Sequence, residues 1–481
     1  MKRKFFSNLL LLLFLNALVK PFWIFGIDRT VQNTVGADAY GFYFSLFSFS
    51  MLLNILLDAG ITNYNNRTIS RHPGRISEYF SLLLPIKVLL AMVYTVVSLS
   101  VALVIGYSHE QLHLLWFLIL NQFLASLILY FRSNITGIHM FKTDSVLSVL
   151  DRFIMIILIG LALWSNVFHL EFNISWYVYL QSIAYGLTAI TGYFLVRINT
   201  VFFRPRFDPL KTLRILKDTL PFALLTLLSA LYYRVDSVMI ERMLPDGKEQ
   251  AGIYAQAFRI LDAFTMYGYL FGVILLPLFS RMIKEKKPIT ELVRFAFLLL
   301  MVPVISLSIV SIIYRQPLME LLYHSHTDIS SVIFAILMGA FIFVSGIYLF
   351  GVLLTAYGDL RTLNILAATG FVINIGLNGL LIPHFGAIGS AWASLVTTAG
   401  VTIGQIIFVS RRLEIPVLQM IPPKIFLFTA LIIPAGLVCI RIPISFYASF
   451  GVVMGIAVVL AFLLRLFPLK QMISIMGSSE E

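Results

Sequence analysis

The sequence predicts an all-α integral membrane protein with fourteen transmembrane helices and both termini in the cytoplasm. Three observations predict it. Of 481 residues, 59% are hydrophobic and 12% charged, with a mean hydropathy of +0.92, against about 45–50% and about 25% in soluble domains. The apolar residues fall into runs of the length that crosses a bilayer, roughly 17–25 residues. The basic residues collect in alternate connecting loops, as the orientation rule for cytoplasmic loops requires.

The fourteen apolar segments are 5–27, 40–61, 79–106, 113–136, 146–168, 176–197, 219–242, 252–280, 290–314, 330–356, 363–383, 386–410, 423–440 and 445–467. The N-terminal MKRKFFSNLLLLLFLNAL has the outline of a signal peptide. Its apolar run continues through Ile27 without a small-residue cleavage site, so it reads as an uncleaved first helix. The clearest breaks are RTISRHPGR (67–75), RINTVFFRPRFDPLKTLRILK (197–217), RMIKEKKP (281–288) and RRLEIP (411–416). With both termini inside, 24 of the 35 Lys and Arg fall on the inner face and five outside: Arg29, Arg242, Lys248, Arg315 and Arg441. Six remain within spans: Lys20, Lys87, Arg152, Arg234, Arg259 and Arg294. The net charge of +12 therefore reflects topology and not a nucleic-acid partner.

Similar phrases recur on either side of the long basic loop. ADAYGFY (37–43) and KEQAGIY (248–254) are 211 residues apart; TGIHMFKTD (136–144) and TAYGDLRTL (355–363) are 219 apart. They lead into equivalent spans of two halves that both begin inside, a parallel repeat about the membrane normal. The expected organisation is an N-terminal lobe over 1–200, a basic cytoplasmic linker over 201–218, a C-terminal lobe over 219–415 and two extra spans over 416–481. Such a chain is a two-lobed transporter with a cavity between its lobes.

Catalysis finds no support in the sequence. There is no P-loop, no H-E-x-x-H and no Cys/His metal cluster, so neither a catalytic residue, a metal site nor a cofactor is expected. HSH (324–326) reads as solvated loop histidines, and the single Cys439 as a small buried apolar residue. No repeated filter sequence points to a pore.

The embedded charges carry the functional signal, because an ionisable residue at mid-bilayer costs about 2.5–3.5 kcal/mol on insertion scales. Lys20 lies roughly 22 Å along the first span at 1.5 Å per residue. It either snorkels or lines a cavity, and the adjoining Pro21 favours a hinged, cavity-lining helix. Arg234, in ALYYRVDSVMIER (230–242), lies at a similar depth on the equivalent helix. Two such cations facing one cavity form an anion site; otherwise Arg234 pairs with an acid such as Asp28 or Asp58 and ties helices together. Arg259 and Asp262 share a face at i, i+3, most simply as a structural ion pair. Lys87 follows Pro85 and either greets an anion from inside or snorkels. Arg152 and Arg294 read as interfacial, and Asp58 as a helix-end residue. Asp236 and Asp262 are the candidate coupling or structural acids. Cations outnumber acids within the spans, which favours an anionic substrate.

KPFWIFGIDRTVQNTVGADAYGFYFSLFSFSMLLNILLDAGITNYNNRTIS (20–70) resembles the start of bacterial polysaccharide (oligosaccharide, O-antigen-type) flippases. These belong to the superfamily that also holds the multidrug and toxic-compound extrusion (MATE) transporters. YYRVDSVMI (232–240), GIYAQAFRI (252–260) and FGAIGSAWASLVTT (385–398) resemble it too. The resemblance implies a MATE-like fold in the bacterial cytoplasmic membrane. It implies alternating-access transfer of an undecaprenyl-diphosphate-linked oligosaccharide to the outer leaflet, for O-antigen, capsule or exopolysaccharide, with a polysaccharide polymerase as a candidate partner. Lys20, Arg234 and Arg259 would contact the diphosphate, and Lys87 would receive it. The rivals are a multidrug or cation antiporter or a peptidoglycan-precursor flippase of the same fold, and a non-transporting scaffold of an envelope polymer complex.

Overall fold

Glycines and prolines set into long apolar runs decide where the helices turn. The computed structural model describes residues 15–16, 18–165, 171–206 and 208–466, with only the backbone of 218, 221 and 222. The first part of the first expected span (5–14) and the end of the last (467) lie outside the described residues.

The helices, in chain order, are α1 (18–35), α2 (37–52), α3 (Ile61–Arg71), α4 (Ile76–Ile105), α5 (His109–Gly137), α6 (Phe141–Trp164), α7 (Ile174–Ile198), α8 (Pro209–Met243) and α9 (Gly247–Lys284). There follow α10 (Thr290–Ile313), α11 (Arg315–Leu322), α12 (Thr327–Tyr357), α13 (360–385), α14 (387–413), α15 (Lys424–Cys439) and α16 (Phe446–Leu463). The described residues contain helices and no strand. Among the described residues, nine helical stretches are long and apolar enough to cross a bilayer, with α13 and α14 counted together as Leu360–Leu413, or ten if the bent pair Leu18–Leu52 and Asn54–Arg71 counts as one span.

Two helical stretches hide a reversal. Leu360–Leu413 runs 54 residues, roughly 80 Å at 1.5 Å per residue, against a hydrocarbon core of about 30 Å. It breaks at Gly386, where φ is 57° and ψ is −139°. From there the chain folds back: Ser390 donates to Asn378 at 2.7 Å, Leu366 meets Gly404, and Arg412 pairs with Asp359 at 2.9 Å. The small residues of FGAIGSAWAS line this seam, with Ser390, Ala391 and Ala393 fully buried, as close helix packing in a membrane demands. Gly36, at φ 81°, makes the corresponding break between α1 and α2.

The chain divides into two compact units, Met1–Ala255 and Gln256–Glu481. In the first, α2 packs on α8 and α5, and α5 on α7 and α3. The repeated phrases meet here. A Cβ on Gly41 would overlap the Lys248 carbonyl oxygen, and one on Gly252 would overlap that of Ala37. Both partners are separated by the repeat offset (252 − 41 and 248 − 37 are each 211), so the contact is reciprocal. The second offset also has a structural counterpart, since α6 opens at Phe141 and α13 at Leu360, 219 residues on. In the second unit α12 packs on α10 and α14, and α15 and α16 pack on α10. Tyr314 hydrogen-bonds Ser449 there and meets the rings of Phe446 and Phe450.

Candidate functional site

Pro21 cannot donate a backbone hydrogen bond, and the helix widens directly after it. Phe22–Asp28 is π-helical, an irregularity that concentrates at functional positions. The widened segment carries Trp23 and Asp28 inward, both buried. Trp23 stacks on Tyr177 of α7, with ring centroids 6.3 Å apart. The Arg152 guanidinium of α6 lies between two rings, 5.3 Å from Trp23 and 5.6 Å from Tyr185.

Lys20 is half-buried and stands in the field of Arg152, Asp151 and Arg132. Its ammonium has no hydrogen bond or ion pair among the described residues. Arg132 is held bidentately by Asp144, at 2.7 and 3.2 Å. Arg152 donates to the weakly accepting Met155 sulfur at 3.3 Å and reaches Asp151 only at 3.7 Å, beyond the roughly 2.7–2.9 Å of a charge-assisted bond. Two weakly compensated cations therefore share an aromatic-walled region inside the first unit. Cations over aromatic faces are attracted by the ring quadrupole, which holds them without neutralising their charge.

The sequence reads Arg152 as interfacial, and the structure places it elsewhere. The apolar run suggests a span from 146, placing Arg152 near its inner end. The helix begins at Phe141 and ends at Trp164, so Arg152 sits at its midpoint. The hydrophilic FKTD (141–144) forms its first turn, which a hydropathy boundary cannot see.

The acids nearby are engaged. Asp28, 1% exposed, accepts from Tyr40 at 2.9 Å, Tyr177 at 2.6 Å and Gln32 at 3.2 Å. Asp236, equally buried, accepts from Tyr254 at 2.9 Å. Arg234 lies 5.3 Å from the Tyr233 ring. In the second unit, Arg259 Nη1 stands 3.9 Å from Asp262 Oδ2, on the expected shared face.

Lys87 has a different environment. It is 1% exposed, and its ammonium donates to the Leu57 carbonyl at 2.7 Å, Asp58 Oδ1 at 2.8 Å and Ser126 Oγ at 2.6 Å. An ammonium has three N–H donors, and all three are used. The reason is local. Between α2 and α3 the chain passes through a 3₁₀ turn, Asn54–Leu57, and then positive φ at Ala59 (44°) and Gly60 (84°). Such a break exposes carbonyls, which inside a membrane protein must find protein donors or a polar cavity. Lys87 supplies them.

Among the described residues no group of three His, Cys, Asp or Glu side chains stands close enough to hold a metal ion.

The model of the polysaccharide biosynthesis protein family matches residues 24–283, more than half of the chain. The fold is that of known transporters. The chain is similar to a lipid II flippase MurJ in an inward closed conformation, at TM-score 0.69 and 15% identity over 96% of this chain and 100% of that one. It is also similar to an inward-facing multidrug resistance MATE transporter, at TM-score 0.62 and 14% identity over 83% and 94%. A third likeness is a point mutant of the Vibrio cholerae MATE transporter VcmN, at TM-score 0.55 and 17% identity over 86% and 99%. No curated protein sequence matches.

Proposed function

We propose, from the premise that the chain belongs to the polysaccharide biosynthesis protein family, that it flips a lipid-linked oligosaccharide from the inner to the outer leaflet of the bacterial cytoplasmic membrane. The substrate carries its glycan on undecaprenyl diphosphate, and its product supplies O-antigen, capsule or exopolysaccharide, with a polysaccharide polymerase as the downstream partner. Fourteen spans with cytoplasmic termini and lobes over 1–200 and 219–415 move by alternating access. The reversals at Gly36 and Gly386 support that count, because each divides one helical stretch into two.

The observation that carries the reading is the open cation pair, Lys20 and Arg152, beside Trp23 on the π-helical segment. A diphosphate crossing the membrane must exchange water for fixed positive charge. Arg152 provides a planar fork suited to phosphate oxygens, and Lys20 a compact charge on a helix that Pro21 hinges. Arg234 and, in the second unit, Arg259 are the further cations proposed to contact the diphosphate. Lys87 receives the substrate only by giving up bonds that it holds here. An inside-negative potential drives outward movement of negative charge by about 2.3 kcal/mol per charge per 100 mV, or roughly 4–5 kcal/mol for two charges.

The antiporter reading requires an open carboxylate for a cationic drug. Asp28 and Asp236 instead accept hydrogen bonds from tyrosines. The test is outer-leaflet appearance of a lipid-diphosphate oligosaccharide in proteoliposomes, run beside proton-driven efflux of a cationic dye. Flipping without efflux is expected. Efflux without flipping overturns the reading in favour of the antiporter.

A further inference from the structure

The break between α2 and α3 does more than require Lys87. It opens a cavity of about 360 Å³ inside the first unit, lined by residues 54–63 of the break, by α5 around Gln122–Leu129 and by Ala223 and Thr226 of α8. Cavities that bind small organic ligands run about 300–1,000 Å³, so this one exceeds the needs of a single ion.

Its polar groups define the ligand. The side-chain amides of Asn54 and Asn63 have no hydrogen-bond partner among the described residues. Gln122 donates to Ser50 at 3.3 Å, and its carbonyl oxygen has no partner among them. Asp58 uses Oδ1 for Lys87, the Thr62 hydroxyl and the Thr62 amide, and Oδ2 has none among them. One carboxylate oxygen and three carboxamides thus line the same cavity with hydrogen-bonding capacity unused by the protein.

The charge is balanced. Lys87 lies behind the wall and neutralises Asp58 at 2.8 Å, so no bare cation lines the cavity to attract a phosphate. The rest of the lining combines aliphatic surface from Ile55, Leu57 and Leu129 with small residues and with Thr62, Ser126 and Thr226. Carboxamides and a neutralised carboxylate offer paired donors and acceptors to adjacent hydroxyls, and the aliphatic surface suits the C–H face of a ring. A break in a membrane helix is also where transporters build their substrate sites.

We infer that this cavity is a sugar subsite, which holds one uncharged pyranose of the glycan apart from the cation pair that meets the diphosphate. The inference rests on the flippase reading for its substrate.

The test is saturation-transfer NMR on the full-length protein with free glucose, galactose, mannose and N-acetylglucosamine as probes. It is repeated for Asn63→Leu, for Asn63→Leu with Gln122→Leu, and for Lys20→Ala. At least one sugar should bind wild type and Lys20→Ala alike. Binding should fall about tenfold in the double variant, the loss of about two neutral hydrogen bonds. Asn63 is exposed and makes no side-chain hydrogen bond that folding needs, so the single variant guards against a folding artefact. Absence of binding by every sugar, or equal binding by wild type and both cavity variants, overturns the subsite and leaves a water-filled cavity. Flipping in proteoliposomes separates the two claims. Lys20-dependent flipping without sugar binding removes the subsite and keeps the flippase. Cavity-dependent sugar binding without flipping removes the flippase and keeps the subsite.

Discussion

Lys20 and Lys87 are both lysines next to a proline or nearly so, within apolar helices of the first unit, yet their surroundings are opposite. Lys87 is fully buried, with its three donors on Leu57, Asp58 and Ser126. Lys20 is half-buried on a helix widened after Pro21, among the charges of Arg152, Asp151 and Arg132, with no bond of its own among the described residues. The difference teaches that an embedded cation marks either a broken backbone to be satisfied or a charge to be presented. Only the surroundings tell which. The first use saturates the donor; the second leaves it open.

On stability, Lys87→Ala should be the most damaging change. Removing one partner of a buried ion pair costs about 3–5 kcal/mol, and the 28% exposure of the Asp58 side chain moves the expectation to about 3 kcal/mol or less. Melting of the purified protein reads it out, and Lys87→Met with Asp58→Asn should recover much of the loss. An undamaged Lys87→Ala protein would erase the contrast. Gly41→Ala and Gly252→Ala should come next, each by about 1–3 kcal/mol. The added Cβ meets backbone that cannot turn aside, and the reciprocal contact requires the two losses to be similar. Lys20→Ala should leave melting nearly unchanged, and Arg152→Ala should cost about 1–2 kcal/mol through its lost contacts with Trp23 and Tyr185. Each should lower flipping about tenfold or more, the value of a charge-assisted hydrogen bond.

The smallest effect belongs to a charged cluster outside the spans. Glu285 is held at about 2 by hydrogen bonds from Arg281 and Lys287. A lowered carboxylate pKa contributes stability above the unfolded value of about 4.3, which fades as pH falls through about 2. The group is fully exposed, so Glu285→Gln should not move the melting temperature measurably at about pH 7.

Much of the fold was legible. Long apolar runs bounded by basic loops mark helices with little ambiguity, and the 211-residue offset between ADAYGFY and KEQAGIY reappears as the Gly41–Gly252 contact. Pro21 beside Lys20 announces an irregular helix. The surroundings of the proposed site residues were less legible. Arg152 was hidden because FKTD (141–144) is too polar to be counted into a span, although it forms the first turn of α6. The role of Lys87 was hidden because its partners lie 29 to 39 residues away, and no periodicity connects them. LLDAG marks a helix end at Asp58, but the cavity beside it depends on α5 and α8, which pack there for reasons that a local reading cannot see.

Binding of a short-chain polyprenyl diphosphate to the purified protein, followed by calorimetry, separates the two lysines. Lys20→Ala and Arg152→Ala should each weaken binding about ten- to hundredfold, while the folded Lys87→Met, Asp58→Asn protein binds as wild type does. Undiminished binding in Lys20→Ala and Arg152→Ala, or its loss in the folded Lys87 and Asp58 double variant, would contradict the assignment of an open cation pair to the diphosphate.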